Sequence, residues 1–343
     1  MRGSLIGWDV GGANVKAARI EAGRSESSVV ERPLPLWREL HRLPATLAEA
    51  ADSLGPASTM AVTMTAELAD CFTSKRQGVA CVLDAFGTAF PLVEPWVHGT
   101  DGTFQPAAAA RQRPYRVAAA NWMASATLVA RTFPDALFID VGSTTTDIIP
   151  IVGGQVMARG KTDPARLRSG ELVYTGVLRT PVCAVVRSVP LRGRRCRVAA
   201  EHFAIVADVH LWRGCIGERD YTCETPDGRG RSRLEAGARL ARMVCADLEM
   251  LGAEAVTAIA EHVARTQVRQ IGSGLRQVMR RLGARCPRVA VLAGQGAFVA
   301  REAADAVGLA TCDLAEGMGA AAARATPAVA VAYLLDAMLT GAV

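Results

Sequence analysis

The chain opens on a short apolar run, Leu5-Ile6, that meets Gly7-Trp8-Asp9-Val10-Gly11-Gly12-Ala13-Asn14 and resumes as Val15 to Ile20. Apolar run, glycine-rich turn and second apolar run predict two strands joined by a tight turn. Residues 43–54 carry a helical apolar period, and residues 58–65 read as a strand. The apolar stretch at 77–84 predicts another strand. Residues 100–114, rich in Gly, Pro and Ala, predict a loop, and 118–132 a helix. Residues 136–152 then repeat the opening: Leu137-Phe138-Ile139, Asp140-Val141-Gly142-Ser143-Thr144-Thr145-Thr146-Asp147, and a further apolar run. Near the end, a strand at 288–292 meets Ala293-Gly294-Gln295-Gly296 and a helix at 297–307. One pattern thus occurs twice, about 130 residues apart, which outlines a duplicated two-domain protein.

At roughly 150 residues per domain, 343 residues also make about two domains. The expected boundaries are 1–132 and 133–324, with a helix at 325–343 completing the first domain. A chain that is half apolar and 21% charged is neither disordered nor fibrous. Its most apolar stretch, 328–343, is broken by Asp336 and too short to span a bilayer. Residues 1–10 hold no apolar leader region. A soluble, cytoplasmic protein without a membrane partner is the expectation. Nine cysteines without a CxxC pair suggest reduced thiols. The set Cys196, His202, His210, Cys215 and Cys223 matches no common zinc spacing.

The net charge of +6 is carried almost wholly by arginine, for Lys16, Lys75 and Lys161 are the three lysines. Basic clusters stand at 111–116, 192–197 and 229–233. No aromatic interleaving or nucleic-acid motif accompanies them, so nucleic acid is not expected. A solvated face and a surface attracting small anionic substrates both remain open.

The duplicated motif carries the chemistry. In each copy an Asp ends an apolar strand, and glycines after it let a ligand approach the backbone. Such a loop suits phosphate oxygens, and the Asp suits a hydrated Mg²⁺. Asp9, Asp140 and Asp147 are the metal candidates. Gly11, Gly12, Asn14, Gly142, Ser143, Thr144 and Thr145 are the phosphate candidates, with Gly11, Gly12, Gly142 and Ser143 acting through backbone N–H groups. Lys16 is expected on a terminal phosphate oxygen.

On these residues the sequence resembles the actin-like ATPase superfamily: Asp9 to Lys16 its first phosphate motif, Asp140 to Asp147 its second, Val289 to Phe298 its adenosine motif. The resemblance implies an α/β protein of the actin-like (ribonuclease H-like) fold, two domains with a phosphate–metal cleft between them. Further stretches sharpen it: Thr63 to Phe72, Gly170-Glu171-Leu172-Val173-Tyr174-Thr175-Gly176, Arg179-Thr180-Pro181 and Thr225-Pro226-Asp227-Gly228. They resemble the hydantoinase/oxoprolinase-like group of tetrahydromethanopterin-linked one-carbon proteins, whose archaeal members are (aminomethyl)furan–tyramine ether synthases of methanofuran biosynthesis. The family implies a transferase that condenses an aminomethylfuranmethyl diphosphate with the phenol of a glutamylated tyramine and releases diphosphate. In methylotrophic bacteria the product would be methylofuran, built on a tyrosine-containing polyglutamate.

For that reaction the segment 63–75 supplies carboxylates, Glu67 and Asp70, either of which could take the phenolic proton, with Lys75 beside them. An ordinary helix N-terminus, where acids favour the dipole, is the structural alternative. Glu171, Tyr174 and Arg179 are expected near the cleft, Arg179 gripping diphosphate bidentately. Gly294, Gln295 and Gly296 mark the nucleotide end, where ATP remains possible. Arg194, Arg195 and Arg231 are the candidates for attracting an acceptor's carboxylates. An ATP-dependent kinase or hydrolase and a non-catalytic nucleotide switch are the rival functions. The sequence leaves oligomeric state open.

Overall fold

The computed structural model describes residues 3–23 and 26–341. Parts of the first ten residues and of 325–343 therefore fall outside the described residues, namely Met1, Arg2, Ala342 and Val343. The chain divides into two compact units. The first holds the residues up to Phe138, then Ile149–Arg166 and those from Asp313 onward; the second holds Ile139–Ile148 and Leu167–Cys312. The expected boundaries gave 149–166 and 313–324 to the second domain, whereas both belong to the first. The reason is that the chain changes units inside strands, and once inside the short helix Asp163–Ser169, rather than in linkers.

The first unit is built on a six-stranded sheet of β1 (Ser4–Val10), β2 (Asn14–Glu21), β3 (Ser27–Pro33), β4 (Thr59–Met64), β5 (Trp96–His98) and β6 (Phe104–Pro106), in the order β3-β2-β1-β4-β5-β6. β1 pairs antiparallel with β2, Asp9 opposite Lys16, and parallel with β4, Val10 opposite Met64. The sheet is covered on both faces. On one, Trp8 meets Phe86 edge to face at 5.7 Å between ring centroids. On the other, the helix Thr326–Thr340 lies close, because an added Cβ at Gly7 would collide with the backbone of Ala328 and Ala332.

The stretch expected as a strand at 77–84 is instead helical, within Lys75–Ala89. Its buried residues Val79, Val82, Leu83 and Phe86 follow a 3.6-residue period, which the dense apolar run concealed. The start is capped reciprocally: Gln77 N–H donates to Ser74 Oγ, and Thr73 N–H donates to Gln77 Oε1 at 2.8 Å. The expected loop at 100–114 contains β6 and a short helix, Ala107–Gln112.

The second sheet contains β7 (Ala136–Val141), β8 (Thr146–Val152), β9 (Gln155–Val156), β10 (Leu172–Val173), β13 (Val289–Ala293) and β14 (Ala310–Asp313), ordered β10-β8-β7-β13-β14 with β9 beside β8. The third–second–first–fourth–fifth order of the first sheet thus recurs. Between β10 and β13 the second unit carries an exposed hairpin, β11 (Ser188–Leu191) with β12 (Arg194–Arg197), and the helices Val206–Arg213, Arg233–Arg242 and Leu248–Leu282, the last broken at Gly252. Trp212, Leu240, Val256, Ile259 and Val263 form the apolar core among them.

Candidate functional site

In the first unit, β1 and β4 end side by side, so the turn at 11–13 and the segment after β4 leave from the same end of the sheet. Thr65 N–H donates to Val10 O at 2.9 Å and fixes that departure. Gly11 N–H donates to Asn14 O at 2.9 Å. That amide therefore closes the turn instead of being offered to phosphate, as expected from sequence. What Gly11 contributes is a bare Cα, since an added Cβ would lie 3.1 Å from Asn14 O; Gly12 faces open space.

Lys16 also departs from expectation. Opposite Asp9 in β2 and opposite Glu31 in β3, its ammonium donates to Arg324 O at 2.6 Å, with Glu31 Oε1 at 3.9 Å. It ties the sheet to the chain's C-terminal segment, which competes with any hold on a phosphate.

Glu67 and Asp70 are separated by burial. Glu67 sits on a single 3₁₀ turn, Ala66–Leu68, and is 1% exposed, while Asp70 is exposed. The segment presses on the helix Lys75–Ala89 because Gly78 lacks a Cβ, which would approach Glu67 Cα to 2.5 Å. Neither Glu67 oxygen accepts a well-aligned hydrogen bond. Its charge partner is Lys75, at 3.3 Å, which in turn donates to Asp163 Oδ2 at 2.6 Å. Burial pushes the Glu67 carboxyl above the usual range, against the opposing pull of Lys75. The two carboxylates hold the Lys75 ammonium above its usual value despite burial. A desolvated carboxyl with a raised pKa beside one cation is the setting of a general base. Asp163 was not among the sequence candidates; its signal is Asp163-Pro164 at a helix start.

In the second unit the β7–β8 loop repeats the first. Gly142 N–H donates to Thr145 O at 2.9 Å, so this amide too closes its turn. Two segments buttress the loop. Val177 N–H donates to Gly142 O, and Leu178 and Arg179 N–H both donate to Ser143 O, at 2.9, 3.1 and 2.9 Å. Gly176 approaches so closely that a Cβ would stand 2.5 Å from Thr144 N. From the other side Gly296 N–H donates to Val141 O at 2.8 Å, and a Cβ on Gly294 would collide with Asp140 Oδ1. The second and third glycine motifs therefore form one cluster with Asp140, Ser143 and Arg179. Ser143 and Thr144 stand together, hydroxyls 3.3 Å apart, and Asp147 faces Leu172 across β8–β10.

A buried network sets the buttress. Gln267 Nε2 donates to Gly176 O at 2.8 Å and to Thr175 Oγ1 at 3.0 Å, while its Oε1 lies 3.0 Å from His210 Nε2. With both amide protons committed, Oε1 accepts and His210 Nε2 donates. Burial lowers the His210 pKa to about 4, so the ring stays neutral. Glu171, expected near substrate, is fully buried and held by Arg281 at 2.5 Å; burial with that partner makes it structural. Tyr174 is 61% exposed. Gln295 Nε2 donates to Asp220 O at 2.6 Å.

Mg²⁺ is tested by the donor set. Carboxylates at strand ends are the hard oxygen ligands this ion requires. Among the described residues no group of three or more His, Cys, Asp or Glu is placed to hold a metal. Asp140, packed against Gly294 beside the loop, is a carboxylate that could contribute to such an ion. No helix among the described residues is long and apolar enough to cross a membrane.

Comparison with known proteins gives a consistent result. The family model described as hydantoinase/oxoprolinase matches residues 58–337. A protein of Methanocaldococcus jannaschii named (4-{4-[2-(gamma-L-glutamylamino)ethyl]phenoxymethyl}furan-2-yl)methanamine synthase is 34% identical over 340 residues, 99% of each chain. A protein of the same name from Methanococcus vannielii is 32% identical over 205 residues, 59% of this chain and 90% of its own. A solved nucleotide-free acetone carboxylase is similar with a TM-score of 0.54 at 10% identity, covering 96% of this chain and 70% of its own. That likeness and the repeated strand order give the fold as actin-like.

Proposed function

The chain belongs to the hydantoinase/oxoprolinase family, and from that membership we propose that it is the ether-forming synthase of methanofuran-type cofactors. The observation that carries this reading is 34% identity over 340 residues, 99% of both chains. The substrates are an aminomethylfuranmethyl diphosphate and the phenol of a glutamylated tyramine or tyrosine.

The reaction forms a bond between the phenolic oxygen and the furan-bound methylene and breaks the bond from that methylene to diphosphate. The phenolic proton goes to a base, and the diphosphate leaves with the bonding electron pair. Glu67 is the base: it is desolvated, its pKa is displaced upward toward that of the proton donor, and Lys75 stabilises its ionised form. The β7–β8 loop with Ser143, Thr144 and Arg179 is the phosphate-binding element. Mg²⁺, when bound, neutralises charge on the leaving diphosphate, and Asp140 is the residue that would hold it. Asp9 is the corresponding strand-end carboxylate of the first unit.

The test is incubation of the chain with donor diphosphate, acceptor phenol and Mg²⁺. The expected products are the aryl ether, seen by mass spectrometry, and one diphosphate per ether. Neither product, with intact folded protein, would overturn the reading. ATP use is a second reading, suggested by the third glycine motif, Gly294-Gln295-Gly296, and the helix Ala297–Asp305 that follows it. Steady ADP release with ATP and small alcohols, without ether formation, would select it.

A further inference from the structure

We propose that Asp163 is a positioning residue for the base: by holding the Lys75 ammonium to itself, it keeps that cation off centre and leaves Glu67 with a stronger hold on the phenolic proton than a closed Glu67–Lys75 pair would have. The inference rests on the reading of Glu67 as the base and names what sets its strength.

The sharing of the ammonium is unequal. Lys75 donates to Asp163 Oδ2 at 2.6 Å, the length of a charge-assisted bond, whereas Glu67 Oε1 stands 3.3 Å away and receives no aligned hydrogen bond. One cation thus serves two carboxylates and gives its best-formed bond to the less buried, for the Asp163 side chain is 22% exposed against 1% for Glu67. Without Asp163 the same ammonium is free to close on Glu67, and a cation drawn nearer favours the ionised carboxylate. Asp163 also brings a negative charge of its own, which disfavours ionisation of a neighbouring acid. The two effects share one sign: Asp163 strengthens the proton affinity of Glu67, and its loss weakens it. The charged groups acting on Glu67 are Lys75, from the helix Lys75–Ala89, which favours ionisation, and Asp163, from the start of the helix Asp163–Ser169, which opposes it. Asp70, on the segment of Glu67 itself, is exposed.

Asp163 is held in place by its own chain rather than by Lys75. Pro164 follows it in the first turn of its helix, and Arg166 N–H donates to Thr162 O at 2.9 Å. Arg166 is buried, its guanidinium carbon 4.2 Å from the centroid of the Trp122 ring. Gly160 packs so closely on this turn that an added Cβ would stand 2.6 Å from Arg166 N. Trp122 begins the helix Asn121–Thr132, and the chain leading into it is bridged to the end of β4, Ala118 beside Met64. Glu67 leaves that same end three residues after Met64, so the base and its tuning carboxylate hang from one point of the first sheet. A carboxylate fixed in this way is preorganised.

The experiment labels the glutamate side-chain carboxyls of the folded chain with ¹³C and follows them by NMR against pH, with Glu67→Gln identifying the Glu67 resonance. Wild type is compared with Asp163→Asn, with Asp163→Ser as a second neutral variant, and with Asp163→Glu. Either neutral variant is expected to lower the Glu67 midpoint by about half a pH unit or more, and Asp163→Glu to restore most of it. The acid limb of kcat/KM for ether formation should move to lower pH with the midpoint, while KM for the diphosphate donor stays within about twofold. A midpoint in the neutral variants that rises or stays within about 0.2 unit of wild type overturns the proposal, as does Asp163→Glu behaving like Asp163→Asn. The NMR titration needs no turnover. A shifted midpoint in a chain that forms no ether would therefore overturn the synthase reading and leave the coupling of Asp163 to Glu67 standing.

Discussion

Replacing Lys75 with Met removes the charge partner of a carboxylate that is 1% exposed and accepts no well-aligned hydrogen bond. Breaking a buried pair by deleting one partner costs about 3–5 kcal/mol, because an uncompensated charge stays inside. The lost contact to the partly buried Asp163 adds about 1 kcal/mol. The cost depends on pH with a definite sign. Burial already raises the Glu67 pKa above 4.5, and removing Lys75 raises it further. The unfolded chain ionises near 4.5, the folded variant only at higher pH. Its stability is therefore fully present below about pH 4.5 and is lost as pH rises toward the folded pKa. Urea unfolding at pH 8 should show a deficit of about 3 kcal/mol or more against wild type, and a clearly smaller one at pH 5. Adding Glu67→Gln should restore most of the pH 8 deficit while ether formation falls by at least about 10²-fold, the usual contribution of a general base. Equal deficits at both pH values, or a double variant no more stable than the single one, would refute the argument.

Three other outcomes are expected. Gln267→Leu orphans the Gly176 carbonyl and His210 Nε2–H, at about 1–3 kcal/mol each, and loosens the loop buttress; urea unfolding should show a loss of about 3 kcal/mol, with KM for the diphosphate donor rising more than KM for the phenol. Gly294→Ala places a Cβ against Asp140 Oδ1 at φ +86°, so ether formation should collapse and thermal unfolding shift by an amount equivalent to about 1–3 kcal/mol. Buried His98 and His210 both have pKa values lowered to about 4 from 6.5, so the unfolded chain takes up protons first; stability should fall between pH 6.5 and 4, by about 3 kcal/mol per ring, and His98→Asn should flatten that acid limb if it folds.

What the sequence made legible is what is local. Strand, Asp, glycine turn and strand is a contiguous signal, and both copies fold as hairpins of equivalent sheets. Glu67 was visible as an acid following a strand, but only burial separates it from Asp70 three residues on. The helix beginning at Lys75 looks like a strand in the sequence because Val79, Ala80, Cys81, Val82 and Leu83 form an unbroken apolar run, which hides its period. The partners were not legible. Asp163 lies 88 residues from Lys75, and Gln267 lies 92 residues from Thr175 and 57 from His210. Nothing in the local pattern of a Gln inside a long helix distinguishes it from a solvated one. The glycine motifs suggested amides waiting for phosphate, but the first amide of each turn is consumed in closing it, a fact of backbone geometry that composition does not carry.

The helix Thr326–Thr340 rests on Gly7 of the first strand. On a ribosome, the sheet that opens the chain must therefore wait for residues made after every segment of the second unit. Until then Gly7 and its neighbours present an uncovered apolar face, and the first unit cannot be completed by any nascent chain that stops short. The order of synthesis is thus the reverse of the order of closure: the unit begun first is sealed last. A stalled or truncated product should be recognisable to quality control by that exposed face, and cutting the gene at the apparent domain boundary near residue 132 should yield no folded fragment.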